Sequence, residues 1–79
     1  MSDIFTIIID GDPLEIRTLN FKNYSRAYEI WKKSALQFIL VYDENKREGH
    51  AWNLDYAESS EVSPQYINKI IRAITEHFS

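Results

Sequence analysis

Two kinds of hydrophobic pattern alternate along the chain. Ile4-Phe5-Thr6-Ile7-Ile8-Ile9 and Gln37-Phe38-Ile39-Leu40-Val41-Tyr42 are short runs with apolar side chains at both parities. Runs of this length, rich in Ile, Val, Phe and Tyr, read as strands covered on both faces. The second run is the more continuous and is expected to be central. Leu14-Glu15-Ile16-Arg17-Thr18-Leu19 is a half-polar strand, joined to the first by Asp10-Gly11-Asp12-Pro13, which has turn chemistry. Pro13 then opens a strand where a missing ladder donor is tolerated, above all at an edge. After the charged connection from Asp43 to Gly49, His50, Trp52, Leu54 and Tyr56 alternate with Ala51, Asn53, Asp55 and Ala57. Strict alternation predicts a strand with one buried and one solvated face, and so a second edge.

Elsewhere the period is closer to 3.6. Tyr24, Ala27, Tyr28, Trp31 and Ala35 fall on one face of a helix starting near Asn20 or Asn23, with Arg26, Glu29 and Lys33 outward. Ile67, Ile70, Ile71, Ile74 and Phe78 repeat the spacing after Ser63-Pro64, an N-cap followed by proline at the first helical position. The predicted order is β-β-α-β-β-α: an α+β two-layer sandwich with a four-stranded antiparallel sheet in order 2-1-3-4 and both helices on one face. Residues 1–79 form one domain on this reading, divisible into two ββα halves, 1–35 and 36–79.

The same parities predict a core and a surface. Phe5, Ile7, Ile9, Leu14, Ile16, Phe38, Leu40, Tyr42, Trp52 and Leu54 face the helices. On the other side Ile4, Thr6, Ile8, Ile39 and Val41 form an apolar centre, with Glu15, Arg17, Asn53 and Asp55 at its rim. An apolar centre with a polar rim is the usual anatomy of a protein-binding surface. The competing explanation is that β-branched residues are there for strand propensity alone.

Composition narrows the classes. A chain of 79 residues hides only about 60% of its unfolded surface, but 44% hydrophobic content suffices for one core and is not that of a disordered segment. With no cysteine there is neither a disulfide nor a thiolate metal site, which suits a reducing cytoplasm. The acidic Met1-Ser2-Asp3 start and the short apolar run after it do not have the form of a targeting segment, and no stretch has the roughly 20 apolar residues of a membrane span. A cytoplasmic protein is expected.

Net charge is −3, unevenly laid out. The spans 20–35 and 63–79 are basic and the remainder acidic, so a basic helix layer bearing Arg26, Lys33, Lys69 and Arg72 is the alternative, nucleic-acid-binding reading. The acidic total and the lack of a dense Lys/Arg cluster with exposed aromatics argue against it. Catalytic material is sparse. His50 and His77 are the only histidines, no phosphate-cradling Gly-rich loop occurs, and the carboxylate pairs Asp10/Asp12 and Asp43/Glu44 sit in turns at opposite ends of the sheet. His77, in a last helical turn, suits the helix dipole.

No catalytic, cofactor or metal residues are therefore assigned, and no small-molecule substrate is evident. The expected function is a small non-catalytic protein-binding module working through Ile4, Thr6, Ile8, Glu15, Arg17, Ile39, Val41 and Asp55. It would act as a homodimer or as a regulator or inhibitor of a larger protein, of the kind that phages and mobile elements encode.

Overall fold

The computed structural model describes residues 4–20, 24, 26–46, 51–57 and 62–78. Five strands, β1 (Ile4–Ile9), β2 (Asp12–Leu19), β3 (Arg26–Lys32), β4 (Ala35–Tyr42) and β5 (Trp52–Ala57), precede one helix, α1 (Pro64–His77). They form a single antiparallel meander in the order β1-β2-β3-β4-β5.

This overturns the predicted four-stranded sheet with two helices. The stretch expected to be the first helix contains β3, so a ββα first half does not form. Its stripe satisfies both periods in part: Ala27, Tyr28 and Trp31 fit one face of a helix, but Tyr28 also alternates with Ala27, Glu29 and Trp31 as a strand, and that pattern alone places Ile30 beside Tyr28. Tyr, Ile and Trp favour the pleated surface, and the deciding signal is local. Lys33 (φ 51°) and Ser34 (φ 66°) are both left-handed, and Lys32 pairs with Ala35. That is the two-residue loop whose twist matches a hairpin, here without its usual glycine. Asp10 (φ 53°) and Gly11 (φ 84°) make the same loop between Ile9 and Asp12.

The order 2-1-3-4 is also corrected. Hairpins join each strand to the next, so β1 is an edge and β2 is interior. Pro13 is accommodated because the β2–β3 ladder ends at Glu15↔Trp31, beyond which its missing N–H costs no bond.

The helix starts where the sequence marks it. The Ser63 hydroxyl accepts from the Tyr66 N–H at 3.1 Å, with Pro64 at the first position. Its first half stands at the turn end of the sheet, where Lys69 meets Asp10, and its last turn reaches Phe5, where the His77 ring stacks at 3.8 Å. α1 therefore runs antiparallel to β1. Ile70 and Ile74 are buried against Ile7, Ile9, Leu14, Ile16, Tyr28, Ile30, Phe38 and Leu40. Placing each such side chain out of water contributes about 1.5–3 kcal/mol.

Core assignments shift with the topology. Trp31, expected inside, shares the helix-free face with its ladder partner Glu15. Leu54 lies on the helix side opposite Leu40 but is 39% exposed, because α1 sits over the β1 side of the sheet. A bulge at Asp55, skipped between Ile39↔Tyr56 and Leu40↔Leu54, moves Tyr56 to the helix-free face.

Candidate functional site

The helix-free face is built by alternate residues. Ladder partners place Ile4 beside Arg17, Glu29, Ile39 and Tyr56 in one row, and Thr6 beside Glu15 and Trp31 in the next. No described element packs on this face. Its centre is polar and aromatic: Arg17 Nε donates to Glu15, the guanidinium lies 4.2 Å above the Trp31 ring, and Trp31 Nε1 donates to Glu29 Oε1 at 3.3 Å. Arg17 and Glu15 are partly exposed, so the ion pair adds at most about 1 kcal/mol, and the cation–π contact adds about 0.5–1. What the network does is hold an Arg and a Trp, the side chains most enriched at binding hot spots, in one fixed arrangement.

Seven of the eight predicted interface residues fall on this face, but it does not expose them evenly. Among the described residues Ile4 and Ile8 are the most exposed large apolar side chains, at 61% and 64%, with Thr6 between them, all on the edge strand β1. Glu15 and Arg17 are in the central network. Ile39 is half-buried. Val41, between Ala27 and Asn53, is only 1% exposed and its ladder partner Ala27 0%, so this end of the face is closed, although neither residue belongs to the cluster under α1. Asp55 is solvent-exposed at its bulge. The single apolar centre read from the sequence is thus an apolar β1 margin beside a charged aromatic centre. Sequence reasoning misses Trp31 and Glu29 because the helical stripe claims their segment. The pairing of Arg17 with Glu29 and of Glu15 with Trp31 emerges only once the register of β2 against β3 is known.

The basic layer of the nucleic-acid reading is not assembled. Arg26 lies on β3 with its guanidinium 5.6 Å from the Tyr42 ring, Lys33 is in the β3–β4 turn, and Lys69 and Arg72 are on α1. Lys69 is paired with Asp10 at 2.8 Å and Lys32 with Asp12 at 3.1 Å. The Asp10/Asp12 pair therefore serves lysines. Asp12 holds the Lys32 ammonium above its ordinary pKa, through their hydrogen bond and their charges. The same corner desolvates Tyr66 and pushes its phenol up.

Asp43 accepts from the Asn45 N–H at 3.0 Å in a local turn. Among the described residues no group of three or more His, Cys, Asp and Glu side chains could hold a metal ion. His77 packs between Phe5 and Phe78, and His50 lies outside the described residues. No described helix is long and apolar enough to cross a membrane.

Two grooves lined by described residues flank the helix. Trp52, Pro64, Ile67, Asn68 and Ile71 line one of about 280 Å³ on its β5 side. Ile8, Ile9 and Asp10 with Lys69, Arg72, Ala73 and Glu76 line one of about 220 Å³ along the free margin of β1. No protein-family model, curated protein or solved structure matches the chain.

Proposed function

We propose that this chain is a small non-catalytic protein-binding module that acts through the helix-free face of its sheet, as a homodimer or as a regulator or inhibitor of a larger protein. The observation that carries this reading is the pairing of an apolar margin, Ile4 and Ile8, with an ordered Glu15–Arg17–Trp31–Glu29 centre on the part of the face, away from the buried Ala27 and Val41, that no described element covers. Apolar contact with a few desolvated Arg and aromatic anchors is how protein interfaces gain affinity. The net charge of −3 favours a basic partner around the acidic parts of the rim.

The test is a chemical cross-linking footprint in the cells that make the protein, using a photoreactive side chain at Thr6 or Glu15. Specific adducts with another protein or with the chain itself, abolished by Trp31→Ala together with Ile8→Lys, are expected. Adducts that form equally when the photoreactive group is at Thr75, exposed on α1 and lining neither of its grooves, would contradict the reading. A basic helix layer for nucleic acid has lost its second helix, and no observation now favours it.

A further inference from the structure

The two edges of the sheet are finished differently. β5 is blunted by the bulge at Asp55 and by the charge of that residue, devices by which natural sheets discourage edge pairing. β1 has none of them: Ile4 through Ile9 contain no charge, no proline, no glycine and no bulge. A regular, hydrophobic edge of this kind is a template for another strand.

Its geometry says which strand. The pair that closes a two-residue hairpin loop exchanges hydrogen bonds, and along an antiparallel ladder such pairs alternate with pairs that do not. Starting from Ile9↔Asp12, the residues bonded to β2 are Ile9, Ile7 and Phe5. The backbone groups of Ile4, Thr6 and Ile8 therefore point away from the sheet.

Those three residues read the same in both directions: isoleucine, threonine, isoleucine. A twofold axis through Thr6 places Ile4 opposite Ile8 of a second copy and Thr6 opposite Thr6, so every outward N–H and C=O of the three finds a partner. Thr–Thr and paired β-branched residues are favourable cross-strand neighbours. No like charges meet along the strand. On the helix side Phe5 faces Ile7 of the second copy.

We infer that β1 pairs antiparallel with β1 of a second copy about Thr6, joining two five-stranded sheets into one continuous sheet. The inference rests on the binding-module reading and names its partner. The groove between the β1 margin and α1 keeps the edge approachable. Because α1 runs antiparallel to β1, the two helices would also lie antiparallel, each presenting Arg72 and Glu76, one turn apart, to the same pair of the other, with the small Ala73 between. The helix-free faces would be contiguous, so Ile4 and Ile8 of each copy, exposed in one chain, meet at the seam.

The experiment is sedimentation equilibrium of the full chain from about 10 μM to about 1 mM, a range that registers association weaker than most biological dimers. Mass is expected to rise from 9.4 kDa toward twice that value. Thr6→Pro removes an outward donor and leaves the β1–β2 bonds intact, so it is expected to weaken the dimer at least tenfold, an order-of-magnitude figure for two lost hydrogen bonds. Thr6→Lys, which sets two ammonium groups face to face, is a second variant should the proline strain the strand. Trp31→Ala, in the face but away from the edge, is expected to leave the dimer intact. A wild-type chain that stays at 9.4 kDa throughout overturns β1 pairing. A dimer lost in Trp31→Ala but kept in Thr6→Pro and Thr6→Lys overturns it too, while sustaining the use of the face.

Discussion

Ile70 and Ile71 are adjacent isoleucines that helical periodicity alone treats as equals, and the structure separates them. Ile70 is fully buried at the middle of α1, within the cluster formed by β1 through β4, whereas Ile71 is half-buried and lines the groove beside Trp52. Truncating a fully buried isoleucine to alanine costs about 2–5 kcal/mol, the lost transfer energy plus the cavity left behind. The better helix propensity of alanine returns less than about 0.7 kcal/mol. At the usual 0.05–0.15 kcal/mol per residue a chain of this length is stable by roughly 4–12 kcal/mol, so Ile70→Ala is expected to remove a large share of the total. With about 4–8 °C per kcal/mol for a domain of this size, Tm should fall by roughly 8–40 °C. Ile71→Ala should cost less than half as much, because its side of the helix already meets solvent. Urea unfolding followed by far-UV circular dichroism measures both, with the m-value checking that the unfolded states match. A loss under about 1 kcal/mol for Ile70→Ala, or equal losses for the two, would refute the seating of α1 described above.

Other outcomes follow from single residues. Thr18 Oγ1 is buried without a hydrogen-bond partner, so Thr18→Val, which keeps the shape, should stabilise by about 1–3 kcal/mol in the same titration, and a destabilisation would mean that the hydroxyl has a partner. Ser34 holds φ 66° in its hairpin loop, and Ser34→Gly should raise stability by about 0.5–1 kcal/mol as the left-handed strain is relieved; a lower Tm would contradict the loop. Val41→Lys would place an ammonium at a site only 1% exposed and should unfold the chain, while a folded variant would return Val41 to the surface. Both Lys32 and Tyr66 hold their protons more tightly when folded, above their ordinary values of 10.5 and 10.0. The folded state therefore binds more protons than the unfolded one as pH rises through this range, and stability present below about pH 10 should be lost above it. Lys32→Met should shrink that alkaline loss, and an unchanged profile would show that the Asp12 pair is not formed.

The elements whose signals are local are legible in the sequence. Ser63-Pro64 marks the start of α1, Asp10-Gly11 the first hairpin loop, and the apolar runs locate β1 and β4. The stretch 24–35 misleads because Tyr28 and Trp31, three apart, suit a helical stripe as well as opposite faces of a strand. The Lys33-Ser34 loop that decides between them lacks the Asn-Gly signature. That one exchange carries the rest. Removing a helix makes the sheet a meander, moves β1 from the centre to the edge, and turns Trp31 from core to surface. Parity correctly places Ile4, Thr6, Ile8, Glu15, Arg17 and Ile39 on one face, since it survives a change in strand order. It does not give exposure, which is why Val41 is expected outside, nor foresee the Asp55 bulge that turns Tyr56 over.

The claim that a partner completes this sheet is tested most directly by amide hydrogen exchange of Ile4, Thr6 and Ile8 in the wild-type chain as a function of its concentration. These amides face outward from an edge strand, so in the monomer they should exchange far faster than those of Phe5, Ile7 and Ile9, which are bonded to β2. With rising concentration all three should become protected together, while Trp52–Ala57 at the opposite edge stays unchanged. Protection of Ile4, Thr6 and Ile8 that is independent of concentration, or exchange that stays fast when the chain is at its most concentrated, would contradict the pairing of β1 with a second copy.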